Sequence, residues 1–272
     1  MATAESPVFL FVAGLGAGGW ALQHAVSASR QILLWRAAPG ALNHFLEGLR
    51  LLDLAESGMN PGWLGGASKT PKKRLKPGDD VLPYVGSLSI PASQARRHVH
   101  GLITGLYGAR AGRFGFQTWG LYDPTADKLT LDLLRTVFPQ ARFVFLVRHP
   151  LACVEAARRA GQTFRDRWGE RGAEVTLAEG IAREWVSRVR QFEGLPHVRS
   201  FRFEDLQSQP SVRSALEAFL GLPEPLTLDD TRPDPAASRD GLPPDEVSRL
   251  WPLVKEAAAL WGYDSPETGA PG

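Results

Sequence analysis

Two runs of strand length, PVFLFVA at 7–13 and ARFVFLV at 141–147, are apolar at nearly every position. Successive side chains of a strand point to opposite faces, so a run apolar throughout has to be covered on both sides. Strands of that kind lie in the middle of a sheet flanked by helices, and a helical pattern follows each of them here. A helix is expected from about Gly18 to Ser29. HPLACVEAARRAG at 149–161 starts another, with Pro150 in its first turn. The repeated alternation of strand and helix predicts an α/β chain: a three-layer, mostly parallel sheet with helices on both faces.

The rest of the chain fills in that plan. QILLWR at 31–36 has the length of a second short strand. PGALNHFLEGLRLLDLAESG reads as a helix, with Leu42, Phe45, Leu46, Leu49 and Leu52 on one face and Gly58 as its stop. Residues 92–111, TADKLTLDLLRTVFP and TLAEGIAREWVSRVRQF are helical in pattern. HVRSFRFEDL reads as a further strand, PSVRSALEAFLGLP as a short helix ended by Gly221, and 243–261 as the last helix. Residues 59–91 are rich in Gly, Pro and Lys without useful periodicity, which predicts a long exposed loop or flap within one 1–272 domain. Lys69, Lys72, Lys73, Arg74 and Lys76 form its basic cluster. A solvated loop accounts for them unless the substrate is an anion.

Composition narrows the function classes. The formal charge is +2 on 272 residues, so nothing implies broad attraction to nucleic acid or to a membrane surface. Cys153 is the single cysteine, which excludes an internal disulfide and suits a reducing, cytoplasmic setting. No Asp, Glu, Lys or Arg lies between Glu5 and Arg30, a stretch long enough for a membrane span. Its central glycines, Gln23 and His24 suit a buried strand, turn and helix better, and a soluble protein without a membrane span is expected.

VAGLGAGGWAL, straight after the first apolar run, is the segment that bears on chemistry. Glycines between a strand and a helix let backbone N–H groups approach an anion closely at the positive helix end. Gly14, Gly16 and Gly19 satisfy G-x-G-x-x-G, but a dinucleotide site also needs an acidic residue near the end of the second strand. That neighbourhood is LLWRAAPG, where Arg36 would suit only a 2′-phosphate, so an NADP oxidoreductase stays open as a distant reading. A Walker A loop is excluded, because no Lys-Ser/Thr follows Gly19.

FPQARFVFLVRHPLACVEAA and SFRFEDLQSQPSVRSALEAFLGLP together resemble the sulfotransferases that use 3′-phosphoadenosine 5′-phosphosulfate (PAPS). The first stretch is similar to that family's 3′-phosphate strand, arginine and helix; the second is similar to its strand, acidic pair and following helix. PVFLFVAGLGAGGWALQHAV falls where the family's 5′-phosphosulfate loop belongs. WGLYD and LWGYD also resemble family segments, and the likeness leaves out only about residues 53–112. It implies sulfuryl transfer from PAPS to a hydroxyl or amine of a small molecule or glycan. The nucleotide contacts it implies are Gly14, Gly16, Gly18, Gly19, Arg148 and, in the tail, Arg239.

The departures from the family pattern fall on polar positions. The loop's usual basic residue is Ala17, and its usual small or hydroxyl residues are Gly18, Trp20 and Ala21. Ala156 stands where the family carries a serine for the 3′-phosphate, and Tyr122 where many bacterial members carry lysine. An acidic residue common near Ala38 is also missing. Removal of a single donor from an oxyanion-binding site costs roughly 2.7–4 kcal/mol of transition-state stabilisation. Several such losses together should slow transfer severely unless the 69–76 cluster or Arg113 supplies a cation.

His24 and His100 are the candidates for a general base, with His98 nearby, although a structural or surface role suits each of them. Glu204 and Asp205 are expected to brace the strand end, and Asp123 either orients a substrate or caps the helix at 125. Trp20 is expected to fill the phosphosulfate pocket and pack as apolar core, leaving binding to Arg148. Two readings follow: an active PAPS-dependent sulfotransferase, or a degenerate member that binds the nucleotide or serves as scaffold, as a homo-oligomer or beside an active relative.

Overall fold

The computed structural model describes residues 6–38, 40, 42–43, 46–50, 92–161, 176–228 and 241–264. Five strands form one sheet: β1 (Val8–Val12), β2 (Ile32–Arg36), β3 (Thr118–Tyr122), β4 (Arg142–Val147) and β5 (Val198–Arg202). Every pairing is parallel, and the spatial order is β2-β3-β1-β4-β5. β1, β4 and β5 thus lie side by side. From β1 the chain builds one side of the sheet through β2 and β3, then crosses to build the other side through β4 and β5. The crevice at the carboxyl ends beside β1 is therefore the switch point where open α/β sheets bind ligands.

The helices are α1 (Gly19–Ala28), α2 (Ala92–Ile103), α3 (Ala109–Arg113), α4 (Lys128–Val137), α5 (Pro150–Arg159), α6 (Leu177–Phe192), α7 (Phe203–Ser208), α8 (Pro210–Leu220) and α9 (Pro244–Leu260). A single π-helical turn, Thr104–Gly108, joins α2 to α3. Residues 42–43 and 46–50 are also helical, with Leu42, Leu46 and Leu49 buried as their spacing predicts. Phe45, Leu52, the 59–91 loop with its basic cluster, and Arg239 lie outside the described residues. Among the described residues no helix is long and apolar enough to cross a membrane.

Alternation sorts the two faces of β1. Phe9 and Phe11 point to one side, where Phe9 meets Trp119, Phe138 and Phe143 with centroids 6.2, 5.5 and 5.6 Å apart. Phe11 meets Phe192 of α6 at 5.2 Å, and Phe145 stacks on the same ring at 4.3 Å. Large rings of this kind carry most of the burial energy of a core. The other side is covered by α1, whose Leu22 and Val26 are buried.

Two elements differ from the sequence expectation. WGLYD was not expected to be a strand, yet β3 runs through it between β1 and β2. Glycine is depleted in strands, but Gly120 is required here: a Cβ would lie 2.3 Å from the Val8 oxygen and 2.5 Å from Leu34 Cδ2. HVRSFRFEDL is not one strand; β5 stops at Arg202, and Phe203 opens α7.

Gly120→Ala should lower the unfolding free energy by about 1–3 kcal/mol, as overpacking does. Gly101→Ala, on α2 with open space around it, should raise stability by about 0.5–1 kcal/mol. Urea titration of both variants checks the opposite signs.

Candidate functional site

At the carboxyl end of β1 the ladder continues one residue, with Ala13 N–H donating to Leu146 O at 2.9 Å. The chain then turns through the glycines, and Gly16 and Gly18 have φ of 77° and 84°, a left-handed conformation that side chains disfavour. Close packing fixes the turn as firmly as the dihedral angles do. A Cβ on Gly16 would lie 2.6 Å from Cys153 O and 2.9 Å from Ala156 Cβ. On Gly18 it would lie 2.4 Å from the Phe203 ring, and on Gly19 2.7 Å from the Tyr122 ring. The loop is thus pressed between α5, Phe203 and Tyr122. Gly18 is the N-cap of α1 and offers no side-chain acceptor, so no side chain caps the amides of that helix end.

Arg148 follows β4 on the neighbouring strand. Its Nη1 donates to Gly16 O at 3.1 Å, and its guanidinium carbon sits 5.1 Å from the centre of the Phe203 ring. Among the described residues no carboxylate pairs with it. Its backbone is held independently: Trp185 Nε1 of α6 donates to Arg148 O at 2.9 Å. The next residue, His149, donates its N–H to Glu204 Oε1 at 2.8 Å, and Tyr263 O–H donates to Glu204 Oε2 at 2.8 Å. Burial and the adjoining Glu204 charge push the Tyr263 hydroxyl far up, so it remains a donor. Burial pushes the His149 imidazole down; its ring stacks on Trp251 at 5.9 Å.

Gly14, Gly16, Gly18, Gly19 and Arg148 therefore share one crevice at the switch point. The other candidates lie elsewhere. His24 is on the exposed side of α1 with its ring 4.1 Å from Trp20. His100 packs against Phe138, centroids 4.7 Å apart, just before β4 begins and so at the amino edge of the sheet. Arg113 precedes β3 at that same edge, far from any position where it replaces the missing loop cation. Trp20 does not pack as core: it is 40% exposed. The buried residues Gly19, Leu22, Ala25 and Val26 form the inner stripe of α1, and Trp20 with His24 lies on the outer one. Tyr122 occupies the space beside the loop instead, only 7% exposed.

Asp123 is 1% exposed and does not cap a helix. Its Oδ1 accepts from Thr125 N and Oγ1 at 2.8 and 2.6 Å, while the N-cap of α4 is Asp127. Arg188 of α6, nearly buried, donates to the carbonyls of Thr125 and Ala126 and fixes the same turn. Asp205 accepts from Gln209 Nε2 at 3.0 Å. Trp185, Phe203 and Tyr263 are site residues that sequence reasoning passed over; their aromatic character signals only core, and LWGYD was the single cue for Tyr263.

Residues 116–225, the span from β3 through α8, match the family model described as "Sulfotransferase family". Over that span the chain is similar to the sulfotransferase family. Its fold is similar to that of the sulfotransferase domain from the curacin biosynthetic pathway, with TM-score 0.54 and 16% identity over 96% of this chain and 99% of that one. A sulfotransferase domain from the Synechococcus PCC 7002 olefin synthase aligns at TM-score 0.49 and 18% identity over 97% and 98% of the two chains. A Mycobacterium avium sulfotransferase aligns at TM-score 0.42 and 15% identity over 99% and 79%. No curated protein sequence matches the chain.

Cys153 lies under the glycine loop and is fully buried. Burial pushes its thiol up to about 12, with Arg148 opposing and Glu204 and Glu184 adding to the rise. A thiolate is the reactive form, so the native protein should resist an aromatic disulfide reagent at pH 8. One equivalent should react on unfolding. Rapid labelling of the native protein would show that the loop lifts from α5.

Proposed function

We propose that this chain binds the nucleotide of PAPS in the crevice between the glycine loop and α5, and that it transfers the sulfuryl group slowly or not at all. The observation that carries the reading is the Arg148 Nη1 bond to Gly16 O, 3.1 Å. It ties the one cation of the crevice, among the described residues, to the loop that presents backbone amides. A guanidinium fixed beside a helix end without a side-chain cap suits a phosphate. Such a site fits the 3′-phosphate end of PAPS or of its desulfated product, PAP.

The sulfuryl end fits poorly. Ala17, at the family's basic position, is buried, and Ala156 contributes only a methyl group against Gly16. Tyr122 and Phe203 press on Gly19 and Gly18. Charge that develops during group transfer requires preplaced cations and donors, and these residues supply neither. Bound PAPS would bring the sulfuryl donor; the described residues would hold its nucleotide, and none of the loop residues 14–21 among them offers the reacting oxygens a cation. The match to the sulfotransferase model over 116–225 supports the choice of nucleotide over a dinucleotide.

Calorimetric titration with PAP, PAPS, NADP and NAD tests the reading. PAP and PAPS should bind with similar affinity, and the dinucleotides should not compete. Arg148→Ala should weaken PAP and PAPS alike by about 1.5–3 kcal/mol, the range for hydrogen bonds to charged groups. Strong preference for PAPS, or sulfuryl transfer to any hydroxyl or amine acceptor, would make the protein an active sulfotransferase instead.

A further inference from the structure

We propose that Glu204 and Tyr263 form a latch that positions Arg148 for a 3′-phosphate, a role that rests on the nucleotide reading above. The latch begins at the C-terminal end of α9. Gly262, at φ 67°, ends that helix; its N–H donates to Ala259 O and the Tyr263 N–H donates to Ala258 O, both at 3.0 Å. This paired bonding is the Schellman arrangement, in which only glycine turns without strain. It sends the Tyr263 side chain back toward the carboxyl end of β5. Arg202, the last residue of β5, holds it there, with Nη1 on Gly262 O at 3.2 Å and its guanidinium 4.2 Å from the ring centre.

From that seat the Tyr263 hydroxyl donates to one oxygen of Glu204, and the other oxygen accepts the His149 N–H, each at 2.8 Å. Glu204 lies in the first turn of α7, just after β5, so one carboxylate joins three parts of the chain distant in sequence. His149 is the N-cap of α5. Its side chain is clamped between Trp251, stacked at 5.9 Å, and the edge of Tyr263, at 5.3 Å. Clamping residue 149 from both its amide and its ring restricts the peptide that carries Arg148. The geometry thus makes Glu204 and Tyr263 positioning residues that act through His149; neither touches the glycine loop.

A structural brace and a positioning latch differ in one measurable way. PAP and 5′-AMP share the adenosine and the 5′-phosphate, and only PAP carries the 3′-phosphate that Arg148 would meet. Tyr263→Phe should therefore lower the affinity ratio of PAP to AMP by about two- to tenfold, the effect of one net hydrogen bond. The AMP affinity itself should stay at the wild-type value. Hydrogen exchange of the amides at 148–153 in the free protein should rise in the same variant. Glu204→Gln, which leaves one acceptor for two donors, should raise that exchange as well and serves as the second variant. A wild-type ratio in Tyr263→Phe, or unchanged exchange in both variants, overturns the latch. Wild-type protein that fails to prefer PAP over AMP overturns the nucleotide reading and the latch with it.

Discussion

The contact on which the site depends is the seating of Gly16 against the first turns of α5. The backbone there approaches Cys153 O and Ala156 so closely that a single methyl group would lie 2.6 Å from an oxygen. Because the loop comes that near, Gly16 O reaches the Arg148 guanidinium, and the amide end of α1 and the end of β4 become walls of one crevice. Loss of the contact would leave two ordinary strand–helix junctions. The sheet order matters for the same reason: β1 lies between β3 and β4, so the loop has Tyr122 on one side and Arg148 on the other.

A phosphate loop normally draws part of its rigidity from the polar groups that bind its ligand. Here the rigidity comes from packing. Phe203 fills the hollow at Gly18, Tyr122 the hollow at Gly19, and the buried Ala17 occupies the position from which a basic side chain would reach out. These are dispersion and burial contacts, present whether or not a nucleotide is bound. The residues that give the loop its shape offer little to stabilise a moving sulfuryl group. On the proposed reading, fold and chemistry have separated in this cleft, as folds permit.

Sequence reading reached the fold where burial alone dictates it. β1 and β4 are apolar on both sides, a pattern that only a covered sheet accommodates, and both were legible together with the helices that follow them. β3 was not, because its five residues include Gly120, whose justification is the Val8 carbonyl on another strand. The end of β5 was misread for a related reason. Apolar residues continue through Phe203, but that ring turns inward onto Gly18 rather than continuing the strand. In the site, the glycines and Arg148 stood out by residue type and position. The outward placement of Trp20 did not, since an indole suggests burial and only its angle from Gly19 on α1 decides otherwise. Glu204 was legible as a brace, whereas its two partners, His149 N–H and Tyr263, come from segments that no local pattern joins.

The distribution of polar groups around Arg148 bears on the proposed binding role of the crevice. Among the described residues the guanidinium has no carboxylate partner, yet it is not left to solvent: Phe203 lies under it and Gly16 O orients it. Glu204, whose carboxylate accepts the N–H of the residue after Arg148, is consumed by two donors, that backbone N–H and a phenol. A carboxylate so satisfied has less to gain from turning toward the arginine, and the arginine's charge remains directed into the crevice. Had Glu204 lacked the Tyr263 hydroxyl, the simplest way to satisfy its second oxygen would have been an ion pair with a neighbouring guanidinium. Such a pair would lower the net charge that an incoming phosphate meets. In the proposed latch, the same bonds that hold the turn at 148–149 also occupy Glu204, and this coupling of order to charge is what Tyr263 would contribute.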